Sequence, residues 1–391
     1  MRANGIARRS IAPAADRSFI EIIDQRALPH ALVFAKLATA GDVERAIREM
    51  WVRGAPLIGA VAAYGLCFAL REDASDAAIE ATSRMLLSTR PTAVNLRWAL
   101  DEMRNALLGL PLQQRMAAGW RRAQAICDED VAINEAIGRN GLALLQNAYR
   151  EKRSNEPLNI LTHCNAGWIA TVDWGTALAP IYMAHDEGIP LHIWVDETRP
   201  RNQGALTAWE LGQHGVPHTI VVDNVGGHLM QHGLVDLCIV GADRVTASGD
   251  VCNKIGTYLK ALAARDNRVP FYVAVPYPTI DWTVDDGVRS IPIEERDPSE
   301  VHTVRGSVEP EMPTIAAEAV RHQSDAGGDH ARGTVRIYPN PSQVANYAFD
   351  VTPARLITGL VTERGVASAS RRGLLALYPE RIKVEGASNA G

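Results

Sequence analysis

The sequence predicts an α/β protein with two domains: a mostly helical domain over residues 1–154 and a domain with a doubly wound parallel sheet over residues 155–391. Three observations predict this fold. The chain has 391 residues, and one domain typically takes roughly 150 residues. Apolar residues recur with a helical period up to about residue 154. From residue 158 onward, short apolar runs alternate with helical stretches, a pattern typical of βαβ units.

The first helices are predicted by apolar stripes. One stripe repeats at i, i+3, i+4, i+7 and i+8 and consists of Val43, Ala46, Ile47, Met50 and Trp51. Similar stripes run through Ala93–Leu107 and Val131–Leu145. This spacing places the apolar side chains on one face of each helix, and that face needs cover from the rest of the domain.

The longest apolar run, Ala55–Leu70, has 16 residues and lies between Arg53 and Arg71. Because a membrane-spanning helix needs ~20 apolar residues, a buried helix is the better interpretation. The N-terminal segment MRANGIARRSIAPAADR is rich in Arg, and no continuous apolar stretch follows it, which disfavours a secretory signal. We therefore expect a cytoplasmic protein without a membrane span.

Five short apolar runs predict the strands of the second domain. They cover residues 158–164, 191–197, 217–224, 235–243 and 269–276. Ligands of open parallel sheets bind outside the carboxyl ends of the strands, so the turns that follow these runs are where we expect functional residues. A polar, Gly-rich segment over residues 321–341 is expected to be a long surface loop.

The charge and cysteine content disfavour some classes of function. Lys plus Arg number 40 and Asp plus Glu number 45, so the net charge is -5. No basic run is long enough to neutralise several phosphates of a nucleic acid, so nucleic acid binding is disfavoured. The five cysteines, Cys67, Cys127, Cys164, Cys238 and Cys252, form no C-x-x-C pair. This predicts free thiols in a reducing compartment and no zinc site.

Cys164 and Asp243 are candidate catalytic residues at the ends of predicted strands. We expect the Cys164 thiol at a strand-to-helix turn near a helix N-terminus. Such a position can favour a thiolate, an apolar lining would raise the thiol pKa instead, and a small buried side chain without chemistry is the alternative. Asp243 ends the fourth predicted strand, where a structural ion pair with Arg244 and a general acid are both open interpretations.

Three segments are candidates for binding an anion. They are Arg53-Gly54-Ala55-Pro56 at the start of the apolar helix, Arg90 before Pro91-Thr92, and Asn253-Lys254, which we expect to open a helix before Gly256. Helix N-termini with a Gly and a nearby cation hold phosphate well. Because neither a Walker A loop nor a G-x-G-x-x-G motif is present, a nucleotide is not specifically indicated. Each basic residue alone is more often a solvated surface charge, and the three segments together modestly favour a small phosphorylated ligand.

Eight segments, in order along nearly the whole chain, match the motifs of one known family. They are RGAPLIGAVAAYG (53–65), RPTAVNLRWAL (90–100), LTHCNAG (161–167), VDETRPRNQGA (195–205), DNVGGHLM (223–230), VGADRVTASGDVCNKIGTY (240–258), IPIEER (291–296) and FDVTPARLITGLVTERG (349–365). In these segments the chain resembles the S-methyl-5-thioribose-1-phosphate isomerases of methionine salvage. That family is related to the regulatory subunits of the eukaryotic exchange factor for translation initiation and to archaeal ribose 1,5-bisphosphate isomerase.

The resemblance implies a Rossmann-like second domain, a homodimer and an aldose–ketose isomerase that converts 5-methylthioribose 1-phosphate to 5-methylthioribulose 1-phosphate. It implies no metal and no organic cofactor. Carried over by motif, Asp243 is the proton donor and Cys164 the second catalytic group. The implied substrate-binding residues are Arg53, Gly54, Ala55, Arg90, Gln203, Asn253 and Lys254.

The implied reaction explains why an acid and a thiol would be needed. Because a phosphate on the anomeric oxygen blocks spontaneous ring opening, an acid must protonate the ring oxygen, and a buried Asp243 with a raised pKa could do so. Cys164 could then carry a proton from the second carbon to the first through an enediol, or stabilise a direct hydride shift. The sequence is compatible with both routes.

Two other functions are compatible with the same motifs. One is isomerisation of 5-deoxyribose 1-phosphate or ribose 1,5-bisphosphate, and the other is a non-catalytic subunit that senses a sugar phosphate or nucleotide. The presence of both an acid and a thiol disfavours the sensing subunit.

The chain also departs twice from the family pattern. Tyr347 stands where Pro is usual, which we expect to be a surface change, and one residue is missing before Leu206, which we expect a Gly204-Ala205 turn to absorb.

Overall fold

The computed structural model describes residues 1–90, 93–152, 156–308, 332–340 and 342–382. In the first of these ranges the chain begins with five short strands: β1 Arg2–Ala3, β2 Ile6–Ala7, β3 Ile11–Pro13, β4 Ile20–Ile23 and β5 Phe34–Leu37. β3, β4 and β5 form an antiparallel sheet, and its Ile11, Ile20 and Leu37 are buried in the same core as the helices that follow. The apolar pattern does not predict these strands, because two to four residues are too few to show an alternation.

Five helices follow within the described residues up to Lys152: α1 Ala40–Arg48, α2 Ala55–Ala69, α3 Asp76–Leu87, α4 Val94–Leu107 and α5 Leu112–Glu151. The prediction of a buried helix for the longest apolar run is confirmed, because nearly every residue of α2 is buried among α1, α4 and α5. The first apolar stripe is only partly helical. α1 ends at Arg48, and Met50 takes a left-handed φ of 59°, so Met50 and Trp51 lie beyond the helix.

The remaining strands belong to the second part of the chain. They are β6 Leu158–Thr162, β7 Leu191–Asp196, β8 His218–Val221, β9 Leu237–Val240, β10 Arg244–Thr246, β11 Val251–Lys254, β12 Phe271–Ala274, β13 Ile280–Asp281, β14 Thr303–Ser307, β15 Arg332–Arg336, β16 Phe349–Thr352, β17 Gly359–Thr362 and β18 Gly365–Ala367.

Seven of these strands form the central sheet, in the order β8-β7-β6-β9-β12-β17-β18. All neighbours are parallel except β17 and β18. The chain runs from β6 to one edge, returns to β9 and then runs to the other edge, which confirms the doubly wound fold. All five predicted strands lie in this sheet. β17 and β18 do not follow from the apolar pattern, because each is short and starts at a Gly.

Helices cover both faces of the central sheet. They are α6 Ala179–Asp186, α7 Gln203–His214, α8 Val225–Gln231 and α9 Thr257–Asp266, with shorter helices α10 Gly287–Ser290, α11 Ser299–His302 and α12 Arg371–Leu377. Alternate residues of β6 enter different cores: Leu158 and Ile160 pack with Ile181 of α6, whereas Leu161 packs with Leu229 of α8. This alternation is what a strand buried on both faces requires.

A smaller sheet in the order β13-β10-β11-β16 and a hairpin of β14 with β15 complete the second part. Within the segment 321–341, for which we expect a polar loop, residues 321–331 and 341 lie outside the described residues, whereas Arg332–Arg336 form strand β15. Tyr347 is 56% exposed, which confirms the expected surface change there.

The 40-residue helix α5 links the two parts of the molecule. Its Ala118 and Trp120 belong to the core around α2, and its Ile137 and Leu145 belong to the core beneath β6. Among the described residues, no helix is both long and apolar enough to span a membrane.

Candidate active site

Cys164 and Asp243 lie where the central sheet reverses its winding direction. Cys164 follows β6 by two residues and Asp243 follows β9 by three, and β6 and β9 are neighbours in the sheet. Ligands of open α/β sheets bind at this switch point. A cavity lies there, lined by all nine site residues that the sequence predicts: Asp243, Cys164, Arg53, Gly54, Ala55, Arg90, Gln203, Asn253 and Lys254.

The turn that carries Cys164 is held by hydrogen bonds on both sides of the residue. Cys164 has a φ of 67°, its N–H donates to Thr198 Oγ1 at 2.9 Å, and its carbonyl accepts from Thr207 Oγ1 at 2.8 Å. The expected helix N-terminus next to the thiol is wrong. The chain after Cys164 makes only a three-residue 3₁₀ turn at Trp168–Ala170, and α6 begins at Ala179.

Burial determines the charge state of the Cys164 thiol. It raises the thiol pKa to about 11, with the nearby carboxyl of Asp243 adding to the rise and the ammonium of Lys254 opposing it. An uncharged thiol therefore predominates at neutral pH. Of the two effects that the sequence left open for this position, the apolar lining outweighs the groups that favour a thiolate.

Asp243 has an environment that favours its protonated form. Burial raises the pKa of this carboxyl above its ordinary value, Lys254 and Arg90 oppose the rise, and Glu294 adds to it. Its neighbour Arg244 forms an ion pair with Asp281 (Nη1–Oδ2 3.5 Å). Arg244 thus has a carboxylate partner other than Asp243, and the role of Asp243 as a general acid stays a prediction.

Asn253 and Lys254 are the last residues of β11, so the prediction that they open a helix is wrong. Helix α9 begins at Thr257, after Gly256. Lys254 Nζ donates to the carbonyl of Ala348 at 2.9 Å, and burial lowers its pKa, although Cys164 and Asp243 both favour its charged form. Asn253 Nδ2 donates to Thr257 Oγ1 at 3.0 Å. The strand thus places a partly buried cation and a buried amide in the wall of the cavity.

The N-terminus of α2 forms another wall of the cavity. Gly54 precedes the helix with a φ of 86°, and a Cβ there would lie 2.2 Å from the carbonyl oxygen of Ala170, so only Gly fits. No side chain caps the helix, which leaves backbone N–H groups near Ala55 available to an anion. Burial and the charge of Arg201 lower the pKa of Arg53 to about 9.

Arg90 lies beside Glu294, with 3.7 Å between Nε and Oε2. Burial lowers its pKa, and Glu294 and Asp243 oppose that change. Its sequence neighbours Pro91 and Thr92 lie outside the described residues. Arg90 therefore supplies charge near both the proposed acid and the α2 N-terminus.

Two arginines that the sequence motifs did not identify also line the cavity. They are Arg201 and Arg296. Both pair with Glu300, at 2.5 Å from Arg201 Nη1 and 2.9 Å from Arg296 Nη2. A signal for them existed, since Arg201 lies two residues before Gln203 and Arg296 closes the IPIEER segment. Met50 also lines the cavity, with its sulfur 3.8 Å from Arg296 Nη2.

Gln203 keeps a place in the site. It is the first residue of α7, is 7% exposed and lines the cavity. Among the described residues, its Oε1 has no hydrogen-bond partner, so the amide is free to bind a ligand hydroxyl. The expected Gly204-Ala205 turn is wrong, because both residues lie inside α7; the left-handed residue is Asn202, with a φ of 54°.

Comparison with known proteins identifies the family. The family model described as Initiation factor 2 subunit family matches residues 51–369. The chain belongs to this family.

Within the family, the chain is 60% identical over 386 residues to a methylthioribose-1-phosphate isomerase of Rhodospirillum rubrum, covering 97% of this chain and 94% of that relative. It is 59% identical over 385 residues to the protein of the same name from Gluconobacter oxydans, covering 98% and 100%.

Solved structures of the family share the fold. The crystal structure of 5-methylthioribose 1-phosphate isomerase from Pyrococcus horikoshii OT3 has a TM-score of 0.77 at 36% identity, with 95% of this chain and 96% of that chain covered. The translation initiation factor eIF-2B, subunit delta, from A. fulgidus has a TM-score of 0.73 at 33% identity, with 95% and 100% covered.

Proposed function

We propose that this protein is an aldose–ketose isomerase that converts 5-methylthioribose 1-phosphate to 5-methylthioribulose 1-phosphate in methionine salvage. One observation carries the proposal: a carboxyl and a thiol, Asp243 and Cys164, line one cavity that is also lined by partly buried cations. The isomerase names of relatives at about 60% identity over nearly the whole chain support it. A subunit that only senses a ligand needs no acid and thiol in one cavity.

The phosphate of the substrate binds at the cationic side of the cavity. The open N-terminus of α2 supplies N–H groups near Ala55, and Arg53, Arg90 and Lys254 supply charge. These groups hold an anion through charge-assisted hydrogen bonds. Gln203 and Asn253 bind the sugar hydroxyls. Fixing the phosphate fixes the sugar next to Asp243 and Cys164, which lowers the entropy cost of the reaction.

Asp243 opens the ring. Its protonated carboxyl gives a proton to the ring oxygen, the bond from that oxygen to the first carbon breaks, and the phosphoester stays intact. The raised pKa of Asp243 keeps more of the carboxyl in the acid form than is usual for aspartate. The carboxylate that remains accepts the hydroxyl proton of the second carbon when the ketone forms, so the acid is restored after each turnover.

Cys164 lies beside the carbons between which hydrogen moves. Because its thiol pKa is raised to about 11, little thiolate is present at neutral pH to remove a proton from the second carbon. This favours a direct shift of hydrogen with its electron pair to the electron-poor first carbon. The uncharged thiol then lines the path of the hydride.

The experiment is to incubate the purified protein with three sugar phosphates and to follow ketose formation by NMR, with one set of reactions in D₂O. We expect conversion of 5-methylthioribose 1-phosphate, faster than 5-deoxyribose 1-phosphate or ribose 1,5-bisphosphate, without deuterium at the first carbon. Deuterium at that carbon would instead support the enediol route. If no sugar phosphate is converted, the protein is not this isomerase, and a sensing subunit becomes the better hypothesis.

We also propose that the protein is a cytoplasmic homodimer whose ligand is a small sugar phosphate and not a nucleic acid. The net charge of -5 supports a ligand other than a nucleic acid, and the five free cysteines support a reducing compartment such as the cytoplasm. Sedimentation analysis measures the oligomeric state.

A further inference from the structure

His163, the residue before Cys164, is fully buried and bonded at both ring nitrogens. Nδ1 lies 2.9 Å from Oδ2 of Asp196 at the end of β7, and Nε2 lies 2.9 Å from the carbonyl oxygen of Ile255. Ile255 directly follows Lys254. One imidazole ring therefore joins the turn that carries the Cys164 thiol to the turn that directly follows Lys254.

Both partners of the ring are hydrogen-bond acceptors. A backbone carbonyl has no proton to give, so Nε2 must carry one. At Nδ1, a proton is shared between the imidazole and Asp196. The ammonium of Lys260 lies 3.3 Å from the same oxygen of Asp196, so this carboxylate oxygen contacts both the ring and the lysine.

The same cluster could be mistaken for a metal site. His163, Asp196 and Asp223 bring one ligand atom each within 4.8 Å of one another. Lys260, however, already places a cation beside Asp196, and Nε2 of His163 is engaged by a carbonyl. Asp223 is also engaged, because its two oxygens accept the N–H groups of Thr198 and Arg199, each at 2.8 Å. The cluster is therefore an internal network of charges.

Packing fixes the ring as closely as hydrogen bonding does. Gly256 has a φ of 105°, and a Cβ there would lie 2.9 Å from Cε1 of His163. The ring edge between the two nitrogens thus faces the backbone of the turn that follows Lys254. On the other side, Thr198 Oγ1 accepts from Cys164 N–H and donates to the carbonyl of Asp196 at 3.0 Å. His163 cannot shift without moving one of the two turns.

We propose that His163 is a positioning residue that sets the place of the Cys164 turn relative to the turn that follows Lys254. Its two hydrogen bonds have separate effects. The bond to Asp196 anchors the Cys164 turn, and the bond to Ile255 anchors the turn that presents Lys254 to the phosphate. The part of this inference that concerns turnover rests on the proposed isomerase function, whereas the part that concerns anion binding does not.

Two variants separate the bonds, because Gln places its amide nitrogen where Nε2 is and Asn places it where Nδ1 is. His163→Gln keeps the donor to Ile255 and loses the one to Asp196. We expect its Kd for inorganic phosphate, measured by calorimetry, to stay within about twofold of the wild type, and kcat to fall by about tenfold or more, because a small misplacement of a reacting group has large effects on rate.

His163→Asn keeps the donor to Asp196 and loses the one to Ile255. We expect its Kd for inorganic phosphate to rise by about fivefold to tenfold, the size expected for one hydrogen bond, with a smaller loss of kcat than in His163→Gln. His232→Gln, at an exposed position, is the control and should leave both quantities unchanged. If both variants lose the same quantity in proportion to their loss of thermal stability, His163 is only structural and the proposal is overturned.

The bond to Ile255 is tested on the wild-type protein, so this test does not depend on whether either variant folds. In ¹⁵N-histidine-labelled protein, Nε2 of His163 should show a directly bonded proton, because its partner is a carbonyl oxygen. An Nε2 without a bonded proton would refute the anchoring bond to Ile255. If the wild type converts no sugar phosphate, the proposed function fails, but the phosphate and NMR measurements still decide the anchoring role.

Discussion

At the carboxyl of Asp243, burial competes with neighbouring charges of both signs. Burial and Glu294 raise its pKa, and Lys254 and Arg90 lower it. The cations proposed to bind the substrate phosphate therefore favour the ionised carboxylate and oppose the effect of burial. A bound phosphate neutralises part of that positive charge, so the arrival of substrate itself favours the protonated carboxyl.

Asp243→Asn should reduce kcat by at least ~10²-fold, the lower range for a positioned acid, because the amide cannot release a proton to the ring oxygen. Since the wild-type carboxyl must be protonated to act, turnover should fall as the pH rises through its raised pKa. Steady-state kinetics against pH measures both effects. Asp266→Asn, at an exposed position on α9, is the control, and near-normal turnover in Asp243→Asn would remove Asp243 from the mechanism.

The residues of the site could be predicted from the sequence to different extents. Cys164 and Asp243 stand at strand ends, which topology alone places at the ligand edge, and the family motifs supplied their roles. Arg201 and Arg296 were missed although both lie in family segments, because the spacing of an arginine in a polar segment does not distinguish a cavity wall from a solvated surface. His163 was missed because its two partners, Asp196 and Ile255, lie 33 and 92 residues away.

At the scale of elements, Glu210 of α7 joins three segments around the floor of the site. Its Oε2 accepts the backbone N–H of Trp168 at 2.6 Å and the hydroxyl of Tyr182 of α6 at 2.9 Å. Its Oε1 accepts Asn165 Nδ2 at 2.7 Å, in the turn after Cys164. Burial raises the pKa of Glu210 from 4.5 to about 7, so this junction changes charge near neutral pH.

Glu210→Gln should gain stability relative to the wild type as the pH rises from 5 to 8. The folded-state pKa is raised, so the wild-type contribution is fully present below about 4.5 and is lost as the pH rises through 7. The difference should reach on the order of 3 kcal/mol in the free energy of unfolding. Urea unfolding at several pH values measures it. Glu187→Gln, an exposed position, is the control, and a pH-independent difference for Glu210→Gln would contradict the assignment.

Helices and strands could be predicted from the sequence where their residues are buried without interruption, and were missed or misplaced where they are not. β6 and β9 are buried on both faces and appear in the sequence as apolar runs, and α2 is buried all round. The five N-terminal strands are too short to show a period. Asn253 and Lys254 were assigned to a helix start because Gly256 follows them, but the Gly serves a close contact with His163 at the end of a strand.

At the scale of the whole molecule, the site is assembled from both parts of the chain. Arg53, Gly54 and Arg90 come from the helical part, and Asn253 and Lys254 come from the part with the central sheet. Helix α5 contributes to the cores of both parts. A ligand at the site therefore contacts two parts that already share one helix. We expect its binding to stabilise both parts against unfolding.

Inorganic phosphate should stabilise the protein as one unit. A ligand that binds only the folded state adds about 2.7 kcal/mol at a concentration of 100 Kd, so the midpoint of thermal unfolding should rise with phosphate concentration, in a single transition. Lys254→Met removes one partly buried cation of the site and should lose most of this rise, because a charge-assisted hydrogen bond is typically worth roughly 1.5–3 kcal/mol. Lys36→Met, at an exposed position, should keep the full rise. Differential scanning calorimetry measures the transitions.

Equal stabilisation of Lys254→Met and the wild type would show that Lys254 does not bind the anion. Two transitions, with only one that moves with phosphate, would show that the anion is held by one part of the chain alone.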